Sequence, residues 1–145
     1  MLGRNLRRIS KITISKEHLT VLLEESKRSG KEVGALLFGR FERDKAVVEL
    51  VKMLRYSERS LTHFMADPFF LLESFSEAEK LGLELVGIFH SHPAPPRPSA
   101  LDMRYMELNP VVWLIADSIK LMIRAYKLDE GELNEIKIEI VNTPS

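Results

Sequence analysis

The sequence predicts an α/β protein built on a mixed β-sheet with two main helices. Three observations carry that prediction. Short apolar runs of strand length, each closed by turn residues, recur from residue 12 to residue 141. Between them lie two longer segments with apolar residues at helical spacing and capping signals at their starts. No internal repeat or linker interrupts the series, so residues 1–145 read as a single domain, long enough to bury a core without staples.

Residues 12–14, Ile-Thr-Ile, read as a first strand. Ser15 can cap the helix that follows, Glu17 suits the positive end of its dipole, and Leu19, Leu22 and Leu23 mark its apolar face up to Gly30. Residues 33–38 form an almost unbroken apolar run ending in Gly39, the pattern of a strand buried on both faces. A turn around residues 42–44 leads to another strand at 46–54, and 55–66 reads as irregular. Asp67-Pro68 then opens the second helix, with Asp as N-cap and Pro in the first turn, running to Leu81 and stopped by Gly82. A strand at 83–89 delivers the chain into His90-Ser91-His92. The four prolines of residues 93–98 exclude helix and central strand. Ser99 caps a short helix to about Leu108, broken by Asn109-Pro110. Strands are expected at 111–116 and 119–128 and, after the turn Asp129-Glu130-Gly131, at 135–141.

Composition narrows the chemistry. Formal net charge is zero, which argues against a dedicated nucleic-acid surface, and Arg4, Arg7 and Arg8 read as a solvated tail. With no cysteine, disulfides, thiolate ligands and a cysteine nucleophile are excluded, so a transition-metal site must use His, Asp or Glu. No signal-peptide pattern or membrane-spanning run is evident, and a cytoplasmic protein without membrane partners is expected.

Of the four histidines, His90 and His92 stand two apart, where an extended chain turns both rings to one face. Asp102 lies ten residues on, in the first turn of a capped helix that can return a carboxylate to the same point. Two His and one carboxylate leave a fourth position open, as in catalytic zinc sites, where the ion lowers the pKa of a water towards neutrality. Glu32, at the head of a buried strand where desolvation raises a carboxylate's pKa, is the candidate general acid/base. Ser99 could stabilise a tetrahedral intermediate. Plainer readings exist beside these. His-x-His is a weak signal, Ser99-x-x-Asp102 is also a capping box, and Glu32 could sit in solvent at a strand entrance. His18 and His63 lack partners at ligand spacing and read as surface or packing residues.

Taken together, these residues resemble the JAMM (MPN+) metalloprotease family. That pattern is a glutamate opening an apolar strand that ends in glycine, then His-Ser/Thr-His-Pro, then Ser-x-x-Asp. Glu32-Val33-Gly34-Ala35-Leu36-Leu37-Phe38-Gly39, His90-Ser91-His92-Pro93 and Ser99-Ala100-Leu101-Asp102 match it in order. Phe64, Asp67 and Pro68, leading into a helix that ends in Gly82, are similar too, and the likeness runs over roughly residues 12–128. The resemblance implies a cytidine-deaminase-like mixed β-sheet flanked by helices. It also implies one catalytic Zn2+ held by His90, His92 and Asp102, with Glu32 as acid/base and Ser99 on the oxyanion side. The spacer from His92 to Ser99 is one residue shorter than the family's usual length, and Ala35 stands where the family often has glycine.

The activity implied is cleavage of the amide between the C-terminal glycine of a ubiquitin-like modifier and a lysine, the modifier's tail lying extended along a sheet edge. Two alternatives carry different predictions: a peptidase releasing an amino acid from a sulfur-carrier protein, and a metal-free interaction module. Phe69, Phe70 and Phe75 on the second helix are expected chiefly in the core, with a homodimer as another use.

Overall fold

The computed structural model describes residues 6–29, 32–54 and 67–142. Strand β1 (Lys11–Ser15) leads directly into helix α1 (Lys16–Ser29). The long hairpin β2 (Val33–Glu42) and β3 (Lys45–Met53) follows, then helix α2 (Pro68–Lys80). Strand β4 (Glu84–His92), helix α3 (Ala100–Leu108) and strand β5 (Val112–Asp117), which pairs parallel to β4, come next, followed by β6 (Ile123–Asp129) and β7 (Glu132–Val141). The mixed sheet flanked by helices is therefore present. It is also closed: the strand order β1-β3-β2-β4-β5-β6-β7 returns on itself through a parallel β1–β7 pairing.

The alternation of side chains divides the core into two layers. One cluster takes residues from all seven strands, among them Ile12, Leu37, Val48, Phe89, Leu114, Ala125 and Ile136, with Leu22 of α1. The other takes the intervening positions of β2, β4 and β5, such as Phe38, Ile88 and Trp113, with Ala78 of α2 and Met106 of α3. A strand with both faces covered has no polar alternation, which is why residues 33–38 are apolar throughout. Gly39 sits at a bulge in the β2–β3 ladder, where a Cβ would lie 1.7 Å from the Val47 carbonyl oxygen, so the position admits only glycine.

Most expected boundaries agree within a residue or two, and Asp67 caps α2 through its bond from the Phe69 amide, as read. Gly82 takes φ +74° after the helix end. The segment 55–66, with Phe64 and His63, and Gly30 lie outside the described residues. One strand start is corrected: β6 begins at Ile123 rather than 119. The Asp117 carboxylate accepts the amides of Ile119 (2.9 Å) and Lys120 (3.1 Å), and Leu121 takes φ +57°, so residues 118–122 are spent on a turn. Those two amides also hold the Asp117 carboxyl below the usual carboxylate range. The last strand starts earlier than expected, because Glu130 (φ 51°) and Gly131 (φ 80°) form a two-residue hairpin turn that lets pairing begin at Glu132.

Two surface expectations also change. Phe69 is 76 % exposed and outside the core, while Phe75 packs edge-on against Phe38 at 5.1 Å. Arg7 belongs to a 3-10 turn, Leu6–Arg8, rather than to a loose tail: its guanidinium pairs with Asp129 and Glu130, and Lys127 donates to the carbonyls of Leu6 and Arg7. No helix among the described residues is long and apolar enough to cross a membrane.

Candidate metal centre

The site forms where β4 runs out of the sheet beneath α3. His90 and His92 follow Ile88 by two and four residues and so face the same side, towards the helices. Asp102 and Met106 are four apart on α3 and share its inner face. Met106 is 1 % exposed in the second core cluster, so seating it there turns Asp102 onto the histidines. All three site residues are buried.

Asp102 Oδ1 lies 3.3 Å from His90 Nδ1, and Oδ2 lies 3.9 Å from His92 Nε2. One ligand atom from each of the three residues lies within 4.8 Å of the others. Donors around a tetrahedral zinc, with bonds of about 2.1 Å, stand roughly 3.4 Å apart, so this set fits with small adjustments. The donor chemistry fits as well. A fully buried carboxylate facing two imidazoles is costly without a compensating positive charge. A divalent cation held by the three side chains answers that condition.

The structural reading of Ser99 is present at the same time. Ser99 Oγ accepts the Asp102 amide at 3.0 Å and the Ser99 amide donates to Asp102 Oδ2 at 2.9 Å, a reciprocal capping box. The cap thus fixes the carboxylate, and because Oγ is used as an acceptor, its own proton is left to donate elsewhere. Ser99 is exposed at the groove surface.

Glu32 stands just before β2, its Oε1 2.8 Å from His90 Nε2. The ring of His90 is therefore bracketed by two carboxylates, Asp102 inside and Glu32 outside. The expectation that Glu32 is desolvated is corrected, since 45 % of its side chain is exposed. The apolar strand starts at Val33, as read, and Glu32 lies before it at the mouth of the groove. That groove, about 630 Å3, is lined by Glu32, both histidines, Ser99, Leu101 and the proline-rich loop.

The chain around residues 15–129 matches the family model for prokaryotic homologs of the JAB domain. The chain belongs to this JAB family. The resemblance to JAMM metalloproteases read from the motif is thus borne out. Curated relatives of this JAB-domain protein include the desampylase of Pyrococcus furiosus, 38 % identical over 133 residues, covering 90 % of this chain and 91 % of the relative. Another is the probable TtuB-protein conjugate cleaving protease of Thermus thermophilus, 33 % identical over 118 residues, covering 77 % and 74 %. Among solved structures, that of a Desulfitobacterium hafniense protein in solution superposes with a TM-score of 0.77 at 30 % identity, over 91 % of this chain and 94 % of the other.

One residue that holds the JAB site was not singled out from sequence. Tyr126 of β6, which has no partner nearby in the chain, donates its hydroxyl to the Pro96 carbonyl at 2.7 Å. Burial first, and the Glu135 carboxylate second, push its pKa above the ordinary tyrosine value, so it remains a donor. The loop it anchors turns the Arg97 carbonyl to within 3.3 Å of His92 Nε2. The shortened spacer is therefore absorbed by a tied loop that still delivers Ser99 to the head of α3. Tyr126→Phe is expected to cost about 1–2 kcal/mol of stability by leaving the buried Pro96 carbonyl unpaired, read by urea denaturation. An unchanged midpoint would show that the anchor carries no weight.

Proposed function

We infer that this chain is a zinc-dependent isopeptidase that hydrolyses the amide between the C-terminal glycine of a ubiquitin-like modifier and a substrate lysine. The observation that carries the inference is the buried His90, His92 and Asp102 set at the base of a groove whose rim holds Glu32 and Ser99. Relatives named a desampylase and a conjugate-cleaving protease, each matched over most of its length, support the reaction class.

Zinc held by these three side chains would supply Lewis acidity to the scissile carbonyl and to the attacking water. The remaining work falls to the chain. Glu32, exposed at the groove mouth and hydrogen-bonded to His90, takes the proton from water and hands it to the departing lysine amine. The Ser99 hydroxyl donates to the oxygen on which negative charge develops. Its orientation is set by the capping box rather than by the substrate, so little reorganisation is needed.

The modifier's tail needs an extended berth. Barrel closure leaves few free edges: β1 pairs with β3 only at Lys45, Ala46 and Val47. The outer side of β3 beyond Val47 has no ladder partner among the described residues. Its last residue, Met53, pairs with Ala35, next to Gly34, which pairs with His90. Strand addition there would aim a C-terminal glycine at the site.

The test is metal content per chain, measured beside cleavage of a lysine-linked and a cysteine-linked modifier conjugate. About one zinc and lysine-selective cleavage are expected. Release only from the cysteine-linked product would favour a sulfur-carrier peptidase, and absence of both metal uptake and cleavage would favour an interaction module.

A further inference from the structure

We propose that Ser91, the residue between the two histidines, is a positioning residue for Glu32. This rests on the reading of Glu32 as the acid/base. Ser91 is fully buried and, by the strand alternation, points away from the histidines into the layer of Val33 and Ala116. In the β2–β4 ladder it stands opposite Val33, and its hydroxyl accepts the Val33 amide at 3.3 Å.

That amide belongs to the peptide plane joining Glu32 to Val33. Holding its N–H fixes the orientation of the plane and hence ψ of Glu32, the torsion that sets where the Glu32 side chain leaves the backbone. Glu32 itself precedes the strand and has no ladder position. The Ser91 hydroxyl thus adds a side-chain tie to the last β2–β4 ladder pair before the chain reaches Glu32. Its partner His90 is one residue from Ser91 on the same strand, so a single dipeptide holds both ends of the Glu32–His90 contact: the backbone through Ser91 Oγ and the carboxylate through His90 Nε2. The Val33 amide already lies in the ladder opposite Ser91, so the hydroxyl is a second, side-chain hold on the same peptide plane, and alanine removes it.

The experiment compares Ser91→Ala and Ser91→Thr in the zinc-loaded protein. Ser91→Ala is expected to keep its metal, leave KM for a lysine-linked conjugate within about twofold, and lower kcat about tenfold. Ser91→Thr, which restores a hydroxyl, is expected to recover most of that kcat. Introduced into Glu32→Gln, Ser91→Ala should change the residual rate by less than about twofold, because the group it positions is already disabled. Full kcat in Ser91→Ala, a rise in KM with kcat unchanged, no rescue by threonine, or an undiminished tenfold loss on the Glu32→Gln background would each overturn the assignment. Should Glu32→Gln itself retain wild-type turnover, the reading of Glu32 has failed; a dead Glu32→Gln beside a fully active Ser91→Ala removes only the role of Ser91.

Discussion

Glu32→Gln is expected to hold zinc as the wild type does and to cleave a lysine-linked conjugate on the order of 10²–10⁴-fold more slowly. The carboxylate lies outside the ligand set: it touches the His90 ring at Nε2, while Asp102 lies against the other ring nitrogen. Glutamine keeps the size and a hydrogen-bonding oxygen, so His90 keeps a partner and the groove its shape. What it loses is the ability to take a proton and release it to the leaving amine. Because 45 % of the side chain is exposed, the substitution should alter stability little. The measurement is single-turnover cleavage with metal content and thermal unfolding on the same samples. Turnover at the wild-type rate would remove Glu32 from the mechanism; zinc loss would make it a ligand instead.

The second large effect is expected at Asp102. Asp102→Ala should bring zinc content below about a tenth of an ion per chain and abolish cleavage, since two imidazoles alone make a poor site. This side chain has a second duty, however. Its Oδ2 receives the Ser99 amide at the start of α3, so alanine also removes half of a capping box, a loss of about 0.5–2 kcal/mol. The two roles separate in a chelator. With no metal on either protein, the difference in unfolding reports the cap together with the cost of burying the carboxylate, and the further stabilisation regained by wild type on zinc addition reports the ligand. Asp102→Asn offers a sharper split, because its amide oxygen can still cap while the charge that balances a cation is gone. Stoichiometric zinc in Asp102→Ala would show that the ion is held by other groups.

Several links from sequence to site are direct. Two histidines separated by one residue in a strand must share a face, and β4 carries them so. Ser99 followed by Asp102 is both a cap signal and part of a ligand pattern, and in the structure it is both at once, since one carboxylate accepts the Ser99 amide and faces the histidines. Glu32 was singled out as the acid/base from its place at the head of an apolar strand, and the family pattern then joined it to the histidines. Nothing in its local sequence says that the next strand over will be β4, because strand pairing is decided by residues far apart in the chain.

The tie from Tyr126 to Pro96 spans thirty residues and has the same cause. A tyrosine in an alternating strand reads as core, and its one polar atom finds a partner only when the proline-rich loop is laid against β6. Ser91 is the opposite case: period-two alternation turns it away from the histidines, but which amide it meets there depends on the β2–β4 register.

By itself, then, the sequence determined what local physics controls: which segments are strands or helices, where Asp67 and Ser99 begin their helices, and which side chains can act as hard ligands in a chain without cysteine. The tertiary structure decided what depends on contacts between distant residues. It closed the sheet through β1 and β7, set Glu32 at an exposed groove mouth rather than in a dry strand, and placed a fully buried carboxylate against two imidazoles. The physical reason is that hydrogen bonding and side-chain period are written into consecutive residues, whereas burial and charge proximity exist only once separate strands and helices are packed together.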